Sequence, residues 1–213
     1  MLSKIEQNIE HICATQRCYL SKVITLIKAQ QIGFRDGVCW IKKSGNGRGK
    51  VFLGSLELVR LMYRSRDVVY LETAKFGRTF ACALFKQNKQ QLNRIIMHSK
   101  LHDVKTIIHV VFAQEAVTIR TDLQEFSDLD NLQCIVALFE YCPYPTLSYK
   151  QFIKHGTCSK IRQMNHIFTV AKQIFKTVKV MHDRGIYHLD LKPENVLYDG
   201  SQNIKILDLG TAQ

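Results

Sequence analysis

The sequence predicts an α+β fold in which strands come first and helices follow, and three stretches carry that prediction. "DVVYLETAKFGRTFACALF" (67–85) reads as two strands meeting at Gly77, rich in β-branched and aromatic side chains. Residues Ile161–His182 repeat apolar side chains at i, i+3, i+4 and i+7 through Met164, Ile167, Phe168, Ala171, Ile174, Phe175, Val178 and Met181, the pattern of a long helix. Gly185 follows as its stop. Beyond it, "NVLY" and "IKIL" are short strands around an Asp199-Gly200 turn signal.

The remaining elements are justified in chain order. Residues 1 to about 30 space Ile5, Ile9, Ile12, Leu20, Val23, Ile24 and Ile27 at a helical period, broken near Thr15–Cys18. Glycines at 33, 37, 45, 47, 49 and 54 then punctuate short apolar runs. "RIIMHSKL" (94–101) is a candidate third strand. "HVVFAQEAVTIRTDL" (109–123) has helical spacing, with Val110, Ala113, Val117 and Leu123 on one face. "LQCIVALFEYC" (132–142) is a continuous apolar run ending at Glu140, as a buried strand requires. The expected division is a basic extension over 1–66, helical then Gly-rich, a strand-rich unit over 67–142 and a helical unit over 143–213.

Composition narrows the function class. Seven dispersed Cys without a C-x-x-C pair read as reduced thiols in an intracellular protein, cytoplasmic or nuclear, and exclude paired structural zinc ligands. No apolar run is long enough for a membrane span, and the charged N-terminus lacks the apolar block of a signal peptide. The net charge of +12 resides entirely in residues 1–100, which hold 18 Lys+Arg against 6 Asp+Glu. Such a half suits nucleic acid, anionic lipid, an acidic partner or simply solvent, and no aromatic-interleaved RNA motif accompanies it.

The chemistry is concentrated in "HLDLKPENVLYDGSQNIKILDLG" (188–210). Phosphoryl transfer needs a carboxylate to orient and deprotonate a hydroxyl, a cation on the transferring phosphate and oxygen ligands for Mg²⁺. Asp190 suits the first task, Lys192 the second, and Asn195 with Asp208 the third. "HLDLKPEN" resembles the catalytic loop H-R-D-L-K-x-x-N of protein kinases, and "DLG" resembles their D-F-G. Lys192, two residues after the Asp, resembles the Ser/Thr-specific version. The resemblance implies a kinase fold, with a small antiparallel β N-lobe carrying one helix and a mainly helical C-lobe that here stops just after D-F-G. It also implies ATP and Mg²⁺ as cofactors. "CIVALFEYCPYPTLSYKQFIKHG" resembles the last N-lobe strand, the hinge and the first C-lobe helix, with Phe139 as gatekeeper and backbone groups of Glu140 and Cys142 facing the adenine.

The N-lobe resemblance is weaker in motif. "SGNGRGKVFLG" (44–54) has the glycines of a phosphate loop at the wrong spacing and far from the hinge. "LETAKFGRTF" (71–80) is preferred, with Phe76-Gly77 as the tip of a Gly-rich loop that has lost two glycines. In that register the nucleotide-anchoring lysine is Lys100, with Lys86 and Lys89 as alternatives, and its helix carboxylate is Glu115. Leu189 stands where the family has Arg, and Leu209 where it has Phe. Two functions are compatible with these residues. One is a Ser/Thr kinase acting on a protein substrate. The other is a truncated kinase mimic that docks on another protein, for instance a partner kinase. The long helix is apolar on more than one side, so a covering partner or a second copy of the chain is expected over it.

Overall fold

In a computed structural model, residues 37–45, 49–75, 77–147, 160–199 and 203–213 are described. The expected helix in residues 1–30, Phe76, the stretch 148–156 expected as the first helix after the hinge, and Gly200 lie outside them. The chain runs β1 (Val38–Lys43), β2 (Val51–Leu53), β3 (Leu56–Arg64), β4 (Val68–Lys75), β5 (Arg78–Lys86), α1 (Lys89–Lys100), β6 (Val110–Thr121) and β7 (Gln133–Glu140). There follow α2 (Lys160–Asp183), β8 (Val196–Tyr198) and β9 (Ile204–Ile206).

The first seven strands close into a barrel in the order β1-β2-β3-β4-β5-β7-β6. Neighbours are antiparallel except at the closure, where β1 runs parallel to β6 with Cys39 opposite Ile119. Closure removes the free edges that an open sheet would present. Cys39, Ile41, Leu53, Leu71, Cys82, Leu84, Val117, Ile119 and Leu138 fill its interior. The boundary expected at residue 66 falls inside this barrel, because β3 is hydrogen-bonded to β4 across it.

Two elements differ from expectation. "RIIMHSKL" is the second half of helix α1, not a strand. Asn88 caps that helix, its side chain accepting from the Gln91 amide at 2.9 Å. Ile95, His98 and Ser99 are buried on one face at helical spacing. The Ile95-Ile96 pair gave a strand-like local run, which a short apolar window cannot separate from a buried helix. Conversely, "HVVFAQEAVTIRTDL" contains strand β6, not a helix. Register shifts at 110/112 and 114/117 interrupt its alternation, and Ala116 takes φ 57° at the second. The bulge sets Ala113 and Val117 four apart, which mimics a helical period.

Helix α2 forms over the span its periodicity predicts, and β8 pairs with β9 in antiparallel register. A separate core joins the two halves of the molecule. Leu101 and Ile107, from the α1–β6 connection, pack with Val170, Met181, Ile186, Ile206 and Leu209. Ile107 also bridges directly to Ile206, so β9 is held against the barrel half of the fold.

Candidate active site

The strands β8 and β9 and the loop before them bring the C-terminal polar residues together. Asp190 Oδ2 accepts from Lys192 Nζ at 2.7 Å and from Asn195 Nδ2 at 3.2 Å. The same Nδ2 donates to the Asp190 carbonyl at 2.9 Å, so Asn195 closes the loop on itself. The bond from Lys192 holds the Asp190 carboxyl below its ordinary value, and the reciprocal contact raises the Lys192 ammonium. The Asn195 carbonyl accepts from the Leu207 amide at 2.8 Å, which ties the loop to the segment carrying Asp208.

His188 anchors the loop from beneath, with Nε2 3.0 Å from the Leu207 carbonyl. Thr211 Oγ1 donates back to the His188 carbonyl at 2.8 Å. Leu189 and Asp208 both sit in the left-handed region, at φ 61° and 54°. For a non-glycine residue this conformation costs about 1–2 kcal/mol and persists only where the surroundings impose it. At Asp208 part of the offset is local, since Oδ1 accepts from the Gly210 amide at 3.0 Å.

Above Asp208 lies a residue that sequence reasoning missed. Arg94 of α1 places NH2 3.0 Å from Asp208 Oδ1, with its side chain only 12% exposed. Its guanidinium carbon stands 5.1 Å from the centroid of Phe85, a cation–π contact. Its NH1 lies 3.5 Å from the Tyr70 hydroxyl. One turn further along α1, buried His98 has Nδ1 3.1 Å from the Ile108 carbonyl and Nε2 3.4 Å from the Leu209 amide. Burial drives the His98 imidazole down to about 3, so it is neutral, donating to Ile108 and accepting from Leu209. Recognising 88–100 as a capped helix would have placed Arg94 and His98 on one face, four residues apart.

Other expected residues are placed elsewhere. Lys100 ends α1 and is exposed, its carbonyl accepting from Arg184 at 3.2 Å, while Glu115 lies in strand β6 beside the bulge. The expected arrangement, lysine on a strand and glutamate on a helix, is therefore inverted, and the structure does not pair the two. No strand intervenes between β5 and α1, so the strand meant to carry Lys100 does not exist. Lys86 is exposed at the end of β5 and Lys89 is exposed at the start of α1. Gly77, at φ 72°, occupies the tight β4–β5 turn between Lys75 and Arg78. That turn is at the Glu140 end of the sheet, since Phe80 pairs with Glu140. At the α1 end the turn is Ser65-Arg66-Asp67, which contains no glycine.

At the end of β7, the Glu140 amide donates to the His109 carbonyl at 2.9 Å, and its side chain accepts from Lys205 at 2.6 Å. The Glu140 amide is thus committed within the fold. Burial raises the Cys142 thiol to about 11, so it stays protonated. Phe139 is buried edge-on to Phe85 and to His98, and faces Ala81 across the β5–β7 ladder.

A loop carboxylate bonded to a lysine and an asparagine, tied by a backbone hydrogen bond to the segment that carries a second carboxylate after a short hairpin, is the polar constellation of the protein kinases. The profile of that family, the protein kinase domain, matches residues 76–213. The chain belongs to the protein kinase domain family. It is 27% identical over 165 residues to the CBL-interacting protein kinase 15 of rice, covering 76% of this chain and 35% of that protein. It is 51% identical over 43 residues to the serine/threonine-protein kinase ppk21 of fission yeast, covering 20% of this chain and 8% of that one. To the calcium-dependent protein kinase 5 of Plasmodium falciparum it is 24% identical over 149 residues, covering 68% and 25% respectively. This kinase domain thus spans about a third of the length of the rice relative. Among the described residues no helix is long and apolar enough to cross a membrane.

The residues present suit a nucleotide–metal pair in a particular way. Among the described residues no three His, Cys, Asp or Glu side chains gather into a metal cluster. Mg²⁺ does not require one, since it takes one or two protein oxygens and completes its shell with phosphate and water. Asn195 commits its amide nitrogen to Asp190 and not its Oδ1, and the bonds to Asp208 fall on Oδ1 and not Oδ2.

Proposed function

We propose that this kinase domain is an ATP- and Mg²⁺-dependent Ser/Thr protein kinase, or part of one, transferring the γ-phosphate to a protein hydroxyl. The observation that supports it is the bonded set of Asp190, Lys192 and Asn195 in a loop that hydrogen bonds tie to the Asp208 segment. Asp190 is a carboxylate held by Lys192 and Asn195, placed to orient a substrate hydroxyl and accept its proton. Lys192 is the cation on the transferring phosphate. Asn195 Oδ1 and Asp208 Oδ2 are the oxygens for the metal, which when bound neutralises charge on the phosphates. The Glu140 carbonyl and the Cys142 backbone line the adenine side. The cellular setting is intracellular, cytoplasmic or nuclear.

Asp190→Ala tests the reading in a phosphotransfer assay on a generic Ser/Thr substrate. Removal of a positioned base reduces transfer about 10²–10⁴-fold. Transfer that is unchanged in the variant would sink the assignment.

A second reading is favoured by a specific observation. Arg94 occupies Asp208 Oδ1, and the face of β5 toward α1 presents Ala81, Ala83 and Phe85 with no lysine. This arrangement also suits a kinase mimic that binds another protein, such as a partner kinase, without catalysis. Its docking face would be α2, where Phe168 and Phe175 are 64% and 74% exposed, covered by that partner or a second copy. Nucleotide binding without Asp190-dependent transfer selects this reading over the first.

A further inference from the structure

The cation beside Asp208 comes from the helix and not from a strand. The β5 side chains packed toward α1 are Ala81, Ala83 and Phe85, all uncharged. The next lysines, Lys86 and Lys89, are exposed beyond the point where Phe85 meets Arg94. Arg94 instead crosses from α1 over the Phe85 ring to reach Asp208. Gly210 makes the crossing possible, because a Cβ there would overlap the guanidinium. The charge pairing required to hold phosphates, a strand cation braced by a helix anion, is replaced by a helix cation braced by Asp208.

Arginine carries a permanent positive charge. It presents five donors in a rigid fork that matches phosphate oxygens. Asp208 takes one of them, and the Tyr70 hydroxyl lies at the outer limit for another. A fixed positive charge 3.0 Å from the carboxylate also opposes the approach of a divalent cation to that same group. Both effects act in one direction: they supply charge for a polyphosphate and reduce the share a metal must supply.

We propose that Arg94 is the phosphate-anchoring residue of the nucleotide site, in the place for which β5 offers no lysine, and that nucleotide binding is therefore largely independent of Mg²⁺. This rests on the nucleotide-site reading given above. Phosphoryl transfer, as distinct from binding, still draws on Asn195 and Asp208.

The test is titration of the full chain with a fluorescent trinitrophenyl-ATP, in excess EDTA and in excess Mg²⁺. The wild type binds in both buffers with affinities within about threefold of each other, while loss of charge-assisted bonds in Arg94→Met weakens binding in EDTA by about tenfold or more. Arg94→Met keeps an apolar stem over Phe85, and Arg94→Lys keeps the charge and retains most of the affinity. Thermal denaturation of each variant separates lost binding from lost fold. Binding in EDTA that Arg94→Met leaves unchanged would overturn the role of Arg94, as would wild-type binding that appears only with Mg²⁺. If Asp208→Asn abolishes binding while Arg94→Met does not, the nucleotide site stands and Arg94 alone is wrong. A wild type that binds in neither buffer removes both the inference and the reading beneath it.

Discussion

His98 is a titratable side chain that the fold keeps neutral. The Ile108 carbonyl and the Leu209 amide require a ring with one proton, and Arg94, His109 and His188 nearby all oppose a second. The folded value near 3 lies below the ordinary 6.5, so the unfolded chain binds the proton first as pH falls. Stability from this residue is complete above about pH 6.5 and is lost progressively toward pH 3, at about 1.4 kcal/mol per pH unit. Urea unfolding at pH 7 and pH 5 should show wild type losing about 2 kcal/mol more than His98→Asn does over the same interval. Equal losses would mean that His98 titrates normally. Gly210 is the second residue whose identity is set by its neighbour. Gly210→Ala should push the Arg94 guanidinium off Asp208 and cost about 1–3 kcal/mol, the scale of a hydrogen-bonded charge. In an Arg94→Met background the same change should cost little, and additivity of the two would reject the steric account. The loop residues Asp190, Lys192, Asn195 and Asp208 were legible in sequence because a loop and a hairpin keep their spacing fixed. Arg94 was not, because its meeting with Asp208 spans 114 residues and depends on which segment is the helix.

At the scale of elements, the strand pair around Gly77, strand β7, helix α2 and the β8–β9 hairpin follow from periodicity and turn chemistry. The exchange of helix and strand at 89–121 does not, and its cause is physical. A short apolar run in α1 reads the same in either period, and the bulge in β6 inserts a helix-like interval into a strand. The signal that discriminates is the cap, not the apolar pattern. Asn88 offers its side chain to the Gln91 amide, which would otherwise be an unpartnered donor at the start of α1. Asn88→Ala should destabilise the protein by about 1 kcal/mol, and Asn88→Ser or Asn88→Asp by much less, as measured by chemical denaturation. A loss for Asn88→Asp equal to that for Asn88→Ala would show that the cap contributes nothing. The consequence reaches the site, since Arg94 and His98 are presented by the turns that this cap initiates.

Across the whole molecule, an apolar cluster and several polar contacts join the barrel half to the C-terminal half, and one of those contacts is a bidentate clasp. The clasp is Arg184, whose NH1 and NH2 each donate at 2.6 Å to one oxygen of Asp103. The bond from Arg184 lowers the Asp103 carboxyl to about 2 from its ordinary 3.8, so its contribution is present above about pH 3.8 and lost as pH falls toward 2. Both partners are over a third exposed, and a pair of this kind is worth under about 1 kcal/mol. The apolar cluster outweighs it. Ile107 is fully buried there, bridged to Ile206 and in the same cluster as Leu209, the residue after Asp208. Ile41 is equally buried, but in the barrel interior away from that cluster. Ile107→Ala and Ile41→Ala should therefore cost similar stability, about 2–5 kcal/mol each. Their effects on the site should differ. Well below the melting temperature of each variant, Ile107→Ala should weaken nucleotide binding, because the cavity lets the Leu209 segment and Asp208 shift beneath Arg94. Ile41→Ala should leave that affinity within about twofold of wild type, since independent sites do not couple. Equal binding by both variants would mean that the interlobe core supports the fold without positioning the site.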